Sequence, residues 1–332
     1  MFYFYLKGMN KYESIWHLAD GNSKRFRPLR REEVDDVTIP YFCIKRSDSV
    51  SNNYLIDMFN YEGHANAPRM PHYCNFILKH VLPNLPKNHD ATGYYPIELH
   101  DTYTYLENGK DYNNALVFAK HMDDRLPCLV PDPYMIDNYG GRMAIVDNME
   151  FDKKQNNIVF CGGTTGNTNP RLNQRLQLCE WSTRNRDFTD FRITNVVQMR
   201  EDVVRSVYAN FDDMQGKPLP QQAQCINKYI LSIDGNTACW DRLMWIANSK
   251  SVAMKYQSKE ILWYYPLFQE GVHYVSVDKN TLKQQFMYCQ SNPNHMKWMI
   301  SNANAFALNY ANHLSALLYT TRLFENFAMN KP

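Results

Sequence analysis

The sharpest alternation of apolar and polar blocks in the chain lies between residues 227 and 277. Residues 229–233 (Y-I-L-S-I) form a short apolar run with β-branched and aromatic members, and the run stops at Asp234-Gly235-Asn236. A run too short for a helix and closed by turn formers predicts a buried strand. Beyond it, Trp240, Leu243, Met244 and Ala247 recur at helical intervals, which predicts a helix beginning just after the glycine turn. Residues 251–256 predict a second strand, the segment around 261–268 a second short helix, and 273–277 a third strand. Strands and helices alternating at this spacing imply parallel crossovers, and ligands collect at the carboxyl ends of parallel strands.

Elsewhere the pattern is plainer. Residues 41–44 are apolar, 73–82 carry a helical pattern, and 83–90 (P-N-L-P-K-N-H-D) read as a loop. A strand is expected to end near Leu99, and residues 115–119 to form another. Residues 147–157 are polar and turn-rich, and the domain boundary is placed there. Ile158, Val159 and Phe160 then predict a strand, followed by Cys161-Gly162-Gly163-Thr164-Thr165-Gly166 and a helix carrying Leu172, Arg175, Leu176 and Leu178. Residues 180–226 read as helical and polar, with Arg184, Arg186, Arg192, Arg200 and Arg205 on a solvated face. Two helices are expected over 280–289 and 293–306, and a last long one over 309–327, with Leu314, Leu317, Leu318, Phe324 and Phe327 at core spacing.

Composition changes this picture little. With 332 residues, 44% apolar and 21% charged, the chain is an ordinary globular one about two domains long. A net charge of +2 argues against a dedicated nucleic-acid binder, which would carry a strong basic excess. The basic cluster Lys24-Arg25-Phe26-Arg27 and Arg30-Arg31 is followed by Glu32, Glu33, Asp35 and Asp36, so its charges offset one another at a solvated surface. The eight cysteines include no C-x-x-C pair and no His at zinc spacing, and read as mostly buried free thiols. The first residues are apolar for only six positions, short of a signal peptide, and no later stretch reaches membrane length. A cytoplasmic protein with no membrane span and no nucleic-acid partner is expected.

Two places offer chemistry. The G-G-T-T-G turn at 162–166 stands between a strand and a helix, where backbone N–H groups can hold an anion such as a diphosphate. It is neither G-x-G-x-x-G nor a P-loop, so the turn alone does not identify a ligand. The other place is Glu98-Leu99-His100-Asp101. A carboxylate at a strand's carboxyl end is readily presented as a general base, or else it caps a turn with His100 bonded to backbone. A phosphate-ester-handling enzyme finds no visible nucleophile–base pair or metal cluster.

The order I-D-G-N with Trp240 behind it, a helix, S-V-A-M-K, W-Y-Y-P-L and H-Y-V-S-V resembles the donor half of family 90 glycosyltransferases. That family includes capsule-associated, lipopolysaccharide-modifying and protein O-glucosyltransferases. The resemblance covers roughly residues 95–325 and is strongest over 228–277. It implies an α/β fold of GT-B type, with two Rossmann-like domains facing a central cleft. Residues 1–150 would form the acceptor side, 151–308 the nucleotide-sugar domain, and 309–332 a terminal helix packing back on the first domain. The implied activity is inverting transfer of a hexose or pentose from a UDP-sugar, glucose or xylose, to a hydroxyl of a glycan or protein. No cofactor is implied beyond the UDP-sugar co-substrate, and no metal. The lack of any Asp-x-Asp pair agrees, because the diphosphate would then be neutralised by Arg and helix dipoles.

Carried over residue by residue, the resemblance implies Asp101 as catalytic base. It implies a diphosphate site from Gly162, Gly163, Thr164, Thr165, Gly235, Asn236 and Thr237, with the start of the following helix. Thr164 stands where one version of the family turn has Arg, so Arg171, Arg175 or Arg242 would supply the charge; Arg242 lies one position off the family spacing. Trp240 matches an aromatic position of bacterial-type members or simply packs its helix. Tyr139, Gly140 and Gly141 end P-D-P-Y-M-I-D-N-Y-G-G, an acceptor-side segment in the family or a loop without ligand. Tyr264, Tyr265 and Pro266 match an aromatic-Tyr-Pro element read as structural. The alternative to an enzyme is a non-catalytic nucleotide-sugar or glycan-binding protein on the same fold, which Thr164 favours.

Overall fold

A computed structural model of the chain describes residues 11–34, 37, 39–47, 53–101, 115–124, 127–137 and 145–330. Two compact units emerge, one of residues 1–139, 259–267 and 309–332, the other of 140–258 and 268–308.

The second unit is built on five parallel strands: β1 (Gln155–Gly162), β2 (Thr189–Ile193), β3 (Asn227–Ser232), β4 (Val252–Tyr256) and β5 (Val275–Val277). Their order across the sheet is β5-β4-β3-β1-β2. The three inner strands are runs of buried apolar residues because helices cover both faces of a parallel sheet. The edge strand β2 alternates instead, with Thr189, Phe191 and Ile193 buried and Asp190 and Arg192 half-buried and paired with each other at 2.6 Å. That alternation lies inside the stretch expected to be helical; its two charged members disguise the strand. Phe160, Leu176, Phe191, Tyr229 and Phe286 meet in one core, with Phe188 and Phe286 stacked at 4.8 Å. Each such side chain contributes about 1.5–3 kcal/mol through burial.

The β1–β2 crossover carries the helix Gln174–Thr183, capped by Asn173, whose side chain accepts the Leu176 N–H at 3.1 Å. Between β3 and β4 runs the helix Arg242–Ala247, which starts seven residues beyond Gly235 rather than directly after it. Side-chain bonds hold the intervening backbone out of helical geometry, as described below. Between β4 and β5 the expected second helix does not form. Glu260–Ile261 pairs antiparallel with Lys120–His121, a one-turn 3-10 helix covers Tyr265–Leu267, and Leu262, Trp263 and Tyr264 are buried in the first unit. Ahead of β1, the buried Lys154 ammonium pairs with Asp147 at 2.7 Å and also donates to the Cys225 carbonyl.

The first unit differs from a second Rossmann-like domain. Its main sheet is antiparallel, with Tyr41–Arg46 between Tyr54–Phe59 and Gly93–Pro96. The connection between the first two strands is seven residues long, and a parallel crossover needs a dozen or more. Parallel pairing among the described residues of this unit is confined to Leu116–Val117 with Cys128–Leu129, continued by the bridge of Ile97 to Leu116. The helix His313–Met329 packs on the helix Lys11–Ser23: Arg322 binds Asp20 at 2.7 Å, and Asn326 binds Asp20 and Ser23, both at 2.8 Å. Phe324 and Phe327 close over Tyr95 and Phe26. Arg27 and Arg30 are paired with Glu33, so the basic cluster is largely compensated. No described helix is long and apolar enough to cross a membrane.

Candidate active site

The connection leaving β1 runs to β2 on one side, and that leaving β3 runs to β4 on the other. Ligands bind in parallel sheets at such a reversal of direction, outside the strand ends. The turns found there are residues 162–166 after β1 and 233–239 after β3, the two glycine turns singled out in the sequence.

The turns are laced together. Gly166 has φ +121°, a region open to glycine, and its N–H donates to Asn236 Oδ1 at 3.1 Å. Gly235 lies so close to the other turn that a Cβ would stand 2.6 Å from Thr165 Oγ1 and 3.0 Å from Arg175 Nη2. Arg175, almost fully buried, is the clip. Its Nε donates to the Asp234 carbonyl at 3.0 Å, Nη1 to the Gly163 carbonyl at 3.0 Å and to Thr165 Oγ1 at 2.5 Å, and Nη2 to the Ile233 carbonyl at 3.1 Å and to Cys239 Sγ at 3.5 Å. Burial lowers its pKa from the ordinary value, and the Arg242 charge nearby adds to that. Asp234 has the opposite displacement: burial raises its pKa, against the Lys255 charge and a Ser258 hydrogen bond. The Asp234 carboxylate also accepts the Cys239 N–H at 3.3 Å, and Gly235 N–H donates to the Thr237 carbonyl at 3.0 Å. These bonds explain why no helix begins at Asn236.

The expected residues therefore divide. Gly162, Gly163, Thr165, Gly235, Asn236 and Thr237 are brought together, and Trp240 lies mostly buried in the turn just ahead of its helix. Thr164 is fully buried, with its hydroxyl donating to the Val197 carbonyl at 2.9 Å and accepting the Val197 N–H at 2.8 Å. It holds the turn to residues 195–197 and offers nothing to a ligand. Arg175 is likewise consumed by the protein. Arg171 is exposed, and its described bonds are backbone ones with Asn169 and Gln177. Arg242 is different. Its Nη2 donates to the Cys161 carbonyl at 2.9 Å, its guanidinium lies 5.0 Å from the Phe160 ring centroid, and its Nη1 is buried without a hydrogen-bond partner. A buried unmatched donor costs free energy and calls for an explanation.

In the first unit, Asp101 Oδ1 pairs with Arg69 Nη2 at 2.8 Å, while Arg69 Nη1 holds the Leu99 carbonyl at 2.6 Å. Tyr139, Gly140 and Gly141 lie outside the described residues. Sequence reasoning missed the part of Asn173, whose amide donates to the Thr164 carbonyl at 2.9 Å while its oxygen caps the helix. An Asn just before an apolar helical pattern is the signal that could have marked it.

A parallel sheet with a glycine-turn platform at its reversal point defines the class: an open-sheet α/β protein. Residues 143–330, more than half of the chain, match glycosyl transferase family 90, and the chain belongs to that family of sugar-transferring enzymes. No curated protein matches it. Among solved structures, that of TarM is similar over 54% of this chain at 10% identity and a TM-score of 0.39, and the match spans 36% of TarM. A glycosyltransferase from Rickettsia africae ESF-5 is similar over 69% of this chain and 70% of its own, at 13% identity and a TM-score of 0.43. Likeness this slight places no residue.

Proposed function

We propose that the protein is an inverting glycosyltransferase that takes a UDP-sugar, glucose or xylose, and glycosylates a hydroxyl of a glycan or protein. The second unit is the donor half and the first the acceptor half. Asp101 takes the acceptor proton as the acceptor oxygen bonds to the sugar C1, and the C1–oxygen bond to the diphosphate breaks on the opposite face. The departing UDP carries the electron pair, and Arg242 with the backbone of the two turns offsets its charge. The observation that carries this reading is the unmatched Arg242 Nη1 at the sheet's reversal point. A second reading, binding of a nucleotide sugar without turnover, is favoured by Thr164, which stands where one version of the family turn has Arg and is engaged internally.

Thermal denaturation tests the donor site. UDP is expected to raise the melting temperature and uridine much less, because the platform holds the diphosphate. Arg242→Gln should remove most of the UDP effect while leaving the ligand-free transition in place. Equal shifts with UDP and uridine, or an undiminished shift in the variant, would rule out this assignment. Slow UDP-sugar hydrolysis without acceptor separates an enzyme from a binder, and that hydrolysis is expected to persist in excess EDTA. Loss in chelator with recovery on adding manganese would show that a metal, not Arg242, neutralises the diphosphate.

A further inference from the structure

Apart from the diphosphate platform, the first unit gathers His64, Glu98 and His100, with one ligand atom from each all within 4.8 Å of one another. We propose that these three side chains form a binding site for a borderline-soft divalent cation of the zinc class, distinct from the diphosphate platform. Glu98 and His100 flank Leu99 just past the strand end, and the His100 N–H donates to Glu98 Oε1 at 2.9 Å. His64 arrives from a turn that Gly63 closes with φ +82°. The two imidazole rings lie 4.3 Å apart, centroid to centroid.

The donor set is informative. Two imidazoles and one carboxylate with a further position open is a common zinc arrangement, whereas magnesium and calcium prefer oxygen alone. Glu98 is 5% exposed, and its carboxylate accepts that His100 N–H. No Lys or Arg forms an ion pair with it among the described residues; Arg69 is engaged by Leu99 and Asp101. A buried carboxylate facing two imidazoles is stabilised by a bound cation. His64 Nδ1 accepts the Asn66 N–H at 3.1 Å. Zinc at Nδ1 displaces that N–H, and zinc at Nε2 moves the ring proton to Nδ1. Either way the bond ends, which couples the turn before Asn66 to the metal.

The test is titration of the full, metal-free chain with zinc at neutral pH, read by calorimetry and melting temperature. A single tight equivalent and a raised melting temperature are expected, with no comparable effect of magnesium. His100→Ala, at an exposed position, and His64→Ala should each abolish the tight equivalent, and Glu98→Gln should weaken it by about 10-fold or more. His121→Ala should leave it intact. Should Glu98→Gln fail to fold, the two histidine variants decide. Absence of tight zinc binding, or binding that survives replacement of both His64 and His100, would overturn the proposal. None of these readouts depends on donor or acceptor.

Discussion

Asp101→Asn is expected to lower sugar transfer by about 10²–10⁴-fold, the usual contribution of a general base. Asn keeps the shape of the side chain and can still accept a hydrogen bond from Arg69, so the segment it anchors should stay folded. A half-exposed ion pair of this kind contributes at most about 1 kcal/mol. UDP binding should be unchanged, because the proposed diphosphate site draws only on residues of the second unit. The effect should thus appear in kcat at saturating donor. If Asp101 only caps its turn, Asn serves nearly as well, and both turnover and stability stay within a factor of two or so. Near-normal transfer by the variant, or a defect confined to donor affinity, would remove Asp101 from the mechanism.

The largest loss of stability is expected from Arg175→Met. The substitution keeps an apolar stem of similar length and strips the platform of the group that holds the Gly163, Ile233 and Asp234 carbonyls. At roughly 1 kcal/mol for each carbonyl left without its donor, the cost is about 3 kcal/mol. For a unit of this size that corresponds to a fall in melting temperature of about 10 °C. Arg175→Lys should recover little, since a single ammonium cannot reach carbonyls spread over two turns. Arg242→Gln should cost far less. A reversed ranking, with Arg242 the stabilising residue, would mean the roles of the two guanidinium groups have been exchanged.

That division between the two arginines was not legible in the sequence. Both lie near the glycine turns, and only the folded chain shows which one its own carbonyls consume. The turns themselves were legible, because Gly162, Gly163, Gly166 and Gly235 each follow an apolar run buried on both faces of the sheet. β2 was missed because an edge strand presents Asp190 and Arg192 to solvent. The segment around 261–268 was misread because Leu262, Trp263 and Tyr264 are buried by a different unit from their neighbours, and apolar residues bunched in a loop imitate a helix face. His64, Glu98 and His100 went unseen together because no sequence spacing links a turn to a strand end so far downstream.

The excursion of residues 259–267 and the return at residue 309 bear on how the molecule can be made. The antiparallel sheet and the helix Lys11–Ser23 of the first unit are synthesised early, yet Phe324, Phe327 and Arg322, which pack on Tyr95, Phe26 and Asp20, follow more than 220 residues later. At translation rates of ~5–20 residues per second the interval is at least about 10–45 s, long against the folding of most domains. Through that time Phe26 and Tyr95 lack the aromatic side chains of the last helix that pack on them. Cutting the gene at one boundary would separate the last helix from the partners it packs on; a circular permutant that joins the last helix to the first and opens elsewhere would make all of the first unit but residues 259–267 one stretch.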